Sequence, residues 1–396
     1  MSFKHNIISY AALPFLALWI TQPACADSFA RSKYTSIKFN PFWQEMDLDL
    51  RLNLDSTRFD GIFREDNQSF SEQVNDLRRA RLFFKFDLNN NWSSKLQFAI
   101  NEGDSKYRTK DAFFRYKGFD FADIKFGLSK EPFGLEQMTS SANLAFTERS
   151  LAKAFAPGRS KGINFSDSKS SYSWSIGAYD IEQGGNNKAD GSTAYTTRVT
   201  LSPLNEENNY NHYGLSFSKR NLDGAPYEIK TNASLDTGFT FLDTRNIETE
   251  SLQQSGLEAA WGRGALSLQG EYQHLNINAI EITENSRYQS YYTQLSYFLT
   301  QDNRPYKKGR FSSVRPSSSK GAWELVFRKG ALQSINIGNE DPGTRIEVQS
   351  NQLGINYYLN KQAKLMLHIN DSKTSGIMNG ANADGSAITL RIQLRI

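Results

Sequence analysis

Cysteine is almost missing from this chain: Cys25 is the single one in 396 residues. No disulfide framework can form, so stability has to come from a very large core or from a closed sheet. Long apolar runs are also missing. Beyond the N-terminus no stretch of 18 apolar residues occurs, and the mean hydropathy is −0.58, which excludes helical membrane spans after residue 26. Charge of one sign is not in excess: 46 Lys+Arg stand against 42 Asp+Glu, a net +4. That argues against a nucleic-acid binder, which carries a clear basic surplus. Histidine is scarce. After residue 26, His212, His274 and His368 stand far apart in sequence, without metal-ligand spacing. No serine motif near a histidine suggests a hydrolase, and no phosphate-cradling or dinucleotide loop is present. No enzyme, metal or cofactor is expected.

What is abundant is aromatic: 13% of the chain, with 18 Tyr and 27 Phe. Residues 1–26 read as a removable secretory signal. Lys4 and His5 precede the apolar stretch Ile7 to Ile20, and Ala24-Cys25-Ala26 forms a small-residue cleavage site. Residues 27–396 then form one domain.

The dominant pattern there has period 2. Asp47-Leu48-Asp49-Leu50-Arg51-Leu52-Asn53-Leu54 alternates without error, and so do Leu82, Phe84, Phe86 and Leu88. The chain closes on Ile388, Leu390, Ile392, Leu394 and Ile396, interleaved with Thr389, Arg391, Gln393 and Arg395. Short connections near Leu88, Gly118, Gly264 and Asn360 alternate with long polar ones at roughly 55–79, 129–160, 220–253, 331–348 and 371–385. Two connections, 202–211 and 300–320, fall on the short side but are long. Short turns on one side and long loops on the other are the pattern of an up-and-down transmembrane barrel. Tyr and Trp at strand ends (Trp92, Tyr116, Tyr179, Trp261, Tyr357) suit the two membrane interfaces. The expected fold is all-β: a 16-stranded antiparallel transmembrane β-barrel.

With the apolar parity facing lipid, the other parity lines the lumen. It carries Arg51, Arg79, Arg81, Lys85, Lys95, Arg115, Lys125, Arg198, Arg328, Lys364, Arg391 and Arg395, opposed by Asp47, Asp49, Asp87, Asp111, Glu258, Glu271 and Glu324. Unpaired charge is too costly to bury dry, so such a lumen holds water, and its basic balance favours anions. The competing reading is that acid–base pairs merely brace the wall.

Residues 123–165 carry a more specific signal. Gly127-Leu128-Ser129-Lys130-Glu131-Pro132-Phe133-Gly134-Leu135-Glu136 leads into Thr139-Ser140-Ser141, then Phe146-Thr147-Glu148-Arg149-Ser150 and Ala156-Pro157-Gly158-Arg159. With Arg78-Arg79-Ala80-Arg81, Asp111-Ala112-Phe113-Phe114-Arg115-Tyr116, Arg304-Pro305-Tyr306-Lys307 and Gly321-Ala322-Trp323-Glu324-Leu325, this closely resembles the phosphate-selective porin O/P family. The resemblance implies an outer-membrane barrel, usually a homotrimer, that passes small anions. It also implies a third loop, here residues 129–160, folded into the pore. In that loop Ser140, Ser141 and Arg149 match the family's paired hydroxyls and arginine, with Lys130 and Gln137 beside them. Hydroxyls and a fixed guanidinium can replace an oxyanion's hydration. Three departures stand out. Gln137 occupies the place of a family lysine, and Ala225 to Lys230 lacks the family's alternating arginines. The chain ends on Ile396 rather than an aromatic residue.

The function expected is a passive, water-filled diffusion channel of the bacterial outer membrane for small anions, phosphate among the candidates. The alternative is a structural or adhesive barrel without useful conductance.

Overall fold

The computed structural model describes residues 45–61, 70–88, 91–102, 105–181, 192–232, 242–243, 247–280, 285–336, 346–375 and 384–396. Residues 1–26, expected from sequence to be a signal, lie outside them.

Among these residues sixteen strands form one antiparallel sheet. They are β1 (Glu45–Gly61), β2 (Phe70–Asp87), β3 (Trp92–Glu102), β4 (Ser105–Tyr116), β5 (Asp123–Lys130), β6 (Arg159–Ser168), β7 (Tyr172–Asp180) and β8 (Thr193–Leu201). β9 (Asn209–Asn221), β10 (Ile247–Arg263), β11 (Leu266–Ala279), β12 (Ser286–Phe298), β13 (Ala322–Asn336), β14 (Glu347–Tyr358), β15 (Ala363–Ser375) and β16 (Asp384–Arg395) follow. Each pairs with its sequence neighbours, and β1 pairs with β16, closing the barrel. The seam ends on Ile396, whose N–H donates to the Leu50 carbonyl at 2.8 Å while the Leu50 N–H donates back at 2.8 Å. The seam is thus closed through the backbone of Ile396 itself. Closure leaves no edge strand in the sheet among the described residues.

The strand count agrees with the sequence reading, but the long-loop bounds are corrected. The apolar alternation stops at Leu54, yet pairing continues through Ser56↔Asn75 to Gly61↔Phe70. Above the lipid band both faces of a hairpin meet water, so the pairing persists without apolar residues to mark it. The expected loop at 55–79 is mostly strand. The connections at 202–208 and 299–321 are long and lie at the short-turn end, as expected. The two-residue turn Gly264-Ala265 between β10 and β11 needs a backbone φ of +54° at Gly264, where glycine has no Cβ penalty.

One face of the sheet exposes Leu215, Leu257, Leu295, Phe327, Leu353, Leu367 and Leu390, while the other buries Arg51, Arg81, Glu258, Arg328 and Arg391. This is the polarity of a barrel whose outside meets lipid. Aromatic pairs such as Trp92–Tyr116 (4.8 Å) and Trp323–Tyr357 (4.4 Å) cluster at the short-turn rim. Tyr179 does not belong to that girdle. It faces inward and is buried with Ile181 and Ala194.

The polarity rule also inverts at the long-loop end. There Leu252, Leu275, Ile277, Leu332 and Val348 point inward and pack around Leu151 and Phe155. Those two side chains belong to a short 3₁₀ turn, Leu151–Ala154, and its cap. A dry cluster therefore sits inside one side of the barrel mouth. Burying each large side chain there contributes about 1.5–3 kcal/mol.

The outer polarity makes a direct prediction. Leu367 lies in a row between Ile355 and Leu390. Leu367→Arg is expected to destabilise the lipid-embedded barrel by about 2–4 kcal/mol in a reversible urea titration. An unchanged midpoint would mean that this row does not meet lipid.

Candidate functional site

Register alone creates an unusual juxtaposition. Arg51 on β1 stands opposite Arg81 on β2 and opposite Arg395 on β16. Like charges directly across strands repel, so each needs another neighbour. Arg395 takes the Asp49 carboxylate at 2.6 Å. Arg51 and Arg81 turn to the segment between β5 and β6. Arg51 Nη1 donates to Ser140 Oγ at 3.3 Å and Ser141 Oγ at 3.4 Å, and Arg81 Nη1 donates to Ser141 Oγ at 3.4 Å. These are long bonds between two cations and two hydroxyls. Nearby polar atoms have no hydrogen-bond partner: Arg51 Nε, Arg79 Nε and Nη1, and both amide atoms of Asn53, which stands opposite Arg79. The Arg51 guanidinium also lies 4.8 Å from the Phe83 ring centre, which fixes its plane.

The basic surface continues along β2 to β6. Lys95 and Arg159 share the Asp111 carboxylate at 2.5 and 2.7 Å. Lys125 lies over the Phe113 ring at 5.4 Å. Arg115 pairs with Asp123, and Lys85 stands 3.9 Å from Asp47. Cations outnumber carboxylates on this side.

The opposite wall is different, because its charges hold the backbone of residues 131–158. That segment contains one helical turn, Leu135–Met138, and two 3₁₀ turns, so many of its backbone groups lack regular partners. Glu271 accepts from the N–H groups of Leu135 (3.0 Å) and Glu136 (2.7 Å). Asn356 donates to the Ala145 carbonyl, Lys364 to Leu144, Gln393 to Ala142 and Gln254 to Phe155. Arg328 bridges the Glu136 carboxylate at 2.8 Å and the Glu148 carbonyl at 2.9 Å. Glu148 itself is ringed by Arg391 (2.9 Å), Arg78 (3.2 Å) and Arg79 (3.7 Å). Burial works against its charge, but the guanidiniums outweigh burial and hold its carboxyl well below the usual range.

The connection 299–321 is braced in the same way. Its small hairpin, Tyr306–Lys307 with Arg310–Phe311, places Tyr306 Oη 2.6 Å from His212 Nδ1. His212 and Arg198 both bond Glu258, and Arg198 donates to the Gly309 carbonyl at 2.8 Å. The Phe311 N–H donates to Thr139 Oγ1, and Ser313 to Asn143, so the two segments touch.

The structure thus sorts the residues singled out from sequence. Ser140, Ser141, Arg51 and Arg81 come together, while Arg79 turns to Glu148. Lys85, Lys95, Arg115 and Lys125 line the same side. Arg149 serves the loop: its Nε and Nη2 donate to the Glu136 and Thr139 carbonyls at 3.1 and 2.8 Å. Gln137 donates to the Pro157 carbonyl, and its own carbonyl accepts from Lys130 Nζ at 2.5 Å. Arg198 and Arg391 are spent in buried ion pairs, so the bracing interpretation holds for them. His212 and His368 are structural, the latter accepting from the Thr147 N–H at 3.2 Å. The Glu131–Arg220 and Arg304–Glu324 pairs escaped sequence reading. Both arginines do share the inward parity of their strand or sit beside a lumen glutamate, which is the signal that was there to use.

Chemically, paired hydroxyls beneath two guanidiniums are suited to a hydrated or partly dehydrated oxyanion. Residues 46–396 match the family described as phosphate-selective porin O and P. Porin O of Pseudomonas aeruginosa is 28% identical over 386 residues, covering 87% of this chain and 86% of that protein. Among solved structures, the anion-selective porin of Comamonas acidovorans superposes with a TM-score of 0.58 at 14% identity, covering 89% of this chain and all of that one. The outer-membrane channel DcaP of Acinetobacter baumannii gives 0.59 at 10% identity, covering 89% and 97%.

Proposed function

Because the chain belongs to the phosphate-selective porin O and P family, we propose that it is a passive outer-membrane diffusion channel that prefers small anions, phosphate among them. It is exported by removal of residues 1–26. Residues 131–158 fold into the barrel and narrow the aqueous path, which runs between that segment and the basic wall of β1 to β6. The observation that carries this reading is the convergence of Ser140 and Ser141 with Arg51 and Arg81. An ion passing there exchanges water for hydroxyl and guanidinium donors, while the far wall has its charge neutralised.

Homotrimer assembly is part of the proposal. The outer face of β2 to β5 carries two aromatic clusters: Phe84 against Phe86 and Phe98 (6.4 Å each), and Phe126 against Phe114 (5.5 Å) and Trp92 (6.1 Å). Such a rigid surface suits contact with another barrel as well as with lipid.

Single-channel recording of the refolded protein across a KCl gradient tests the function. A reversal potential favouring chloride, with current reduced by added phosphate, is expected. No current from correctly folded protein would instead support the structural barrel. Gln137→Lys restores a cation beside Lys130. It is expected to strengthen phosphate block by roughly fivefold, since one more charge at short range in water adds about 1 kcal/mol. Equal block by both proteins would place the ion path away from Gln137.

A further inference from the structure

The outer wall carries a polar cleft that ion passage does not use. Ladder register aligns Lys219, Gln253, Asn276, Arg287 and Asn336 in one row across β9 to β13. Their strand neighbours Ser218, Leu252, Leu275, Ile277, Ser286 and Tyr288 are buried inward, so the row itself faces outward. Asn276, Arg287 and Asn336, together with Asn285, line a cleft of about 430 Å³. Asn276 Oδ1 is shielded from solvent and has no hydrogen-bond partner. Arg287 and Lys219 are exposed, and neither meets a carboxylate among the described residues. The Glu250 carboxylate, farther toward the loops, is held by Asn278 at 3.0 Å.

The position of the row matters as much as its chemistry. Four residues toward the short-turn end, Leu257, Tyr272 and Tyr291 form an exposed row of the lipid-facing belt. Between the two rows lie Phe217, Ser255, His274 and Gln289. At about 3.4 Å per residue, the cleft stands roughly 14 Å beyond that belt row. Lys219 and Arg287 are three strands apart, about 14 Å at the usual strand spacing. The wall thus changes from apolar, through a mixed row that is polar on β10 to β12, to amides flanked by two cations.

We propose that this row binds the phosphorylated sugar headgroup of an outer-leaflet glycolipid, the lipopolysaccharide class. Arg287 and Lys219 hold separate phosphates, and the asparagine amides take sugar hydroxyls. The acyl chains lie along the Leu257–Tyr272–Tyr291 row. A free phosphate ion would gain nothing from the adjoining apolar belt, whereas a lipid uses both surfaces. The proposal rests on the outer-membrane reading above, with the long loops facing outward.

The test is native mass spectrometry of the refolded protein in detergent, titrated with deep-rough lipopolysaccharide, with the same lipid after phosphatase treatment, and with inorganic phosphate as competitor. Wild type is expected to retain the phosphorylated lipid. The Lys219→Ala/Arg287→Ala protein is expected to bind it at least tenfold more weakly, with Arg287→Lys in between. Channel conductance and chloride preference, recorded on the same samples, should be unchanged in all three. Equal lipid retention by wild type and the double variant overturns the site, as does equal binding of the dephosphorylated lipid. Full displacement by millimolar inorganic phosphate would make it a site for the free ion and overturn the lipid assignment. Loss of chloride preference in wild type would count against the channel reading alone.

Discussion

Replacing Arg51 and Arg81 together with alanine is expected to weaken phosphate block on the order of thirtyfold and to move the reversal potential toward non-selectivity. Arg51 meets the hydroxyls of Ser140 and Ser141, and Arg81 that of Ser141, all within 3.4 Å. In a water-filled constriction each contributes about 1 kcal/mol to an anion at contact distance, and two such terms add to about thirtyfold. The substitution also leaves the serine hydroxyls without their cationic donors. Lys329→Ala is the control, because Lys329 is exposed on the outer face and should leave selectivity alone. If the double variant keeps its phosphate block while Lys329→Ala behaves as wild type, the ion does not pass between the serines and this wall. Single replacements should each give roughly fivefold, so clear non-additivity would show that both arginines hold one ion.

Glu271→Ala should convert a quiet channel into a noisy one of larger mean conductance, and lower barrel stability by about 3 kcal/mol. Its carboxylate accepts from the backbone N–H groups of Leu135 and Glu136 and from Tyr292 Oη at 2.7 Å. Removing it strands two buried backbone donors, each costing about 1–3 kcal/mol. The helical turn Leu135–Met138 then loses its anchor on β11, and the segment it heads can move in the barrel. Glu271→Gln keeps one acceptor and should fall between. Open-channel noise and unitary conductance in planar bilayers measure the first effect, and a urea titration of vesicle-embedded protein the second. Unaltered noise together with unaltered stability would show that the many contacts of β13 to β16 hold the segment without β11.

The barrel was legible because its physics is local. Alternation at period 2, as in Asp47 to Leu54 and Ile388 to Ile396, records which side of each strand meets lipid. The alternation of short turns and long loops records the up-and-down order. The hydroxyl pair and its loop were legible only through resemblance, since Thr139-Ser140-Ser141 alone could be any turn. Two features misled the pattern. Strands β1 and β2 run past the lipid band, where water on both faces removes the apolar marker. Inside the mouth, Leu252, Leu275, Ile277, Leu332 and Val348 share the lumen parity yet build a dry cluster with Leu151 and Phe155. Tyr179 was misplaced for the same reason.

The sequence by itself determined a closed sheet with an apolar outside and a charged inside, because burial of side chains at alternating positions follows directly from strand geometry. Only the tertiary structure decided which lumen charges remain for an ion. Arg198, Arg328 and Arg391 look no different in sequence from Arg51 and Arg81. They differ because register and the path of residues 131–158 bring Glu258, Glu136, Glu148 and Asp55 to the first three, and serine hydroxyls to the other two. Partners up to hundreds of residues apart set those charges, and no local pattern encodes such distances.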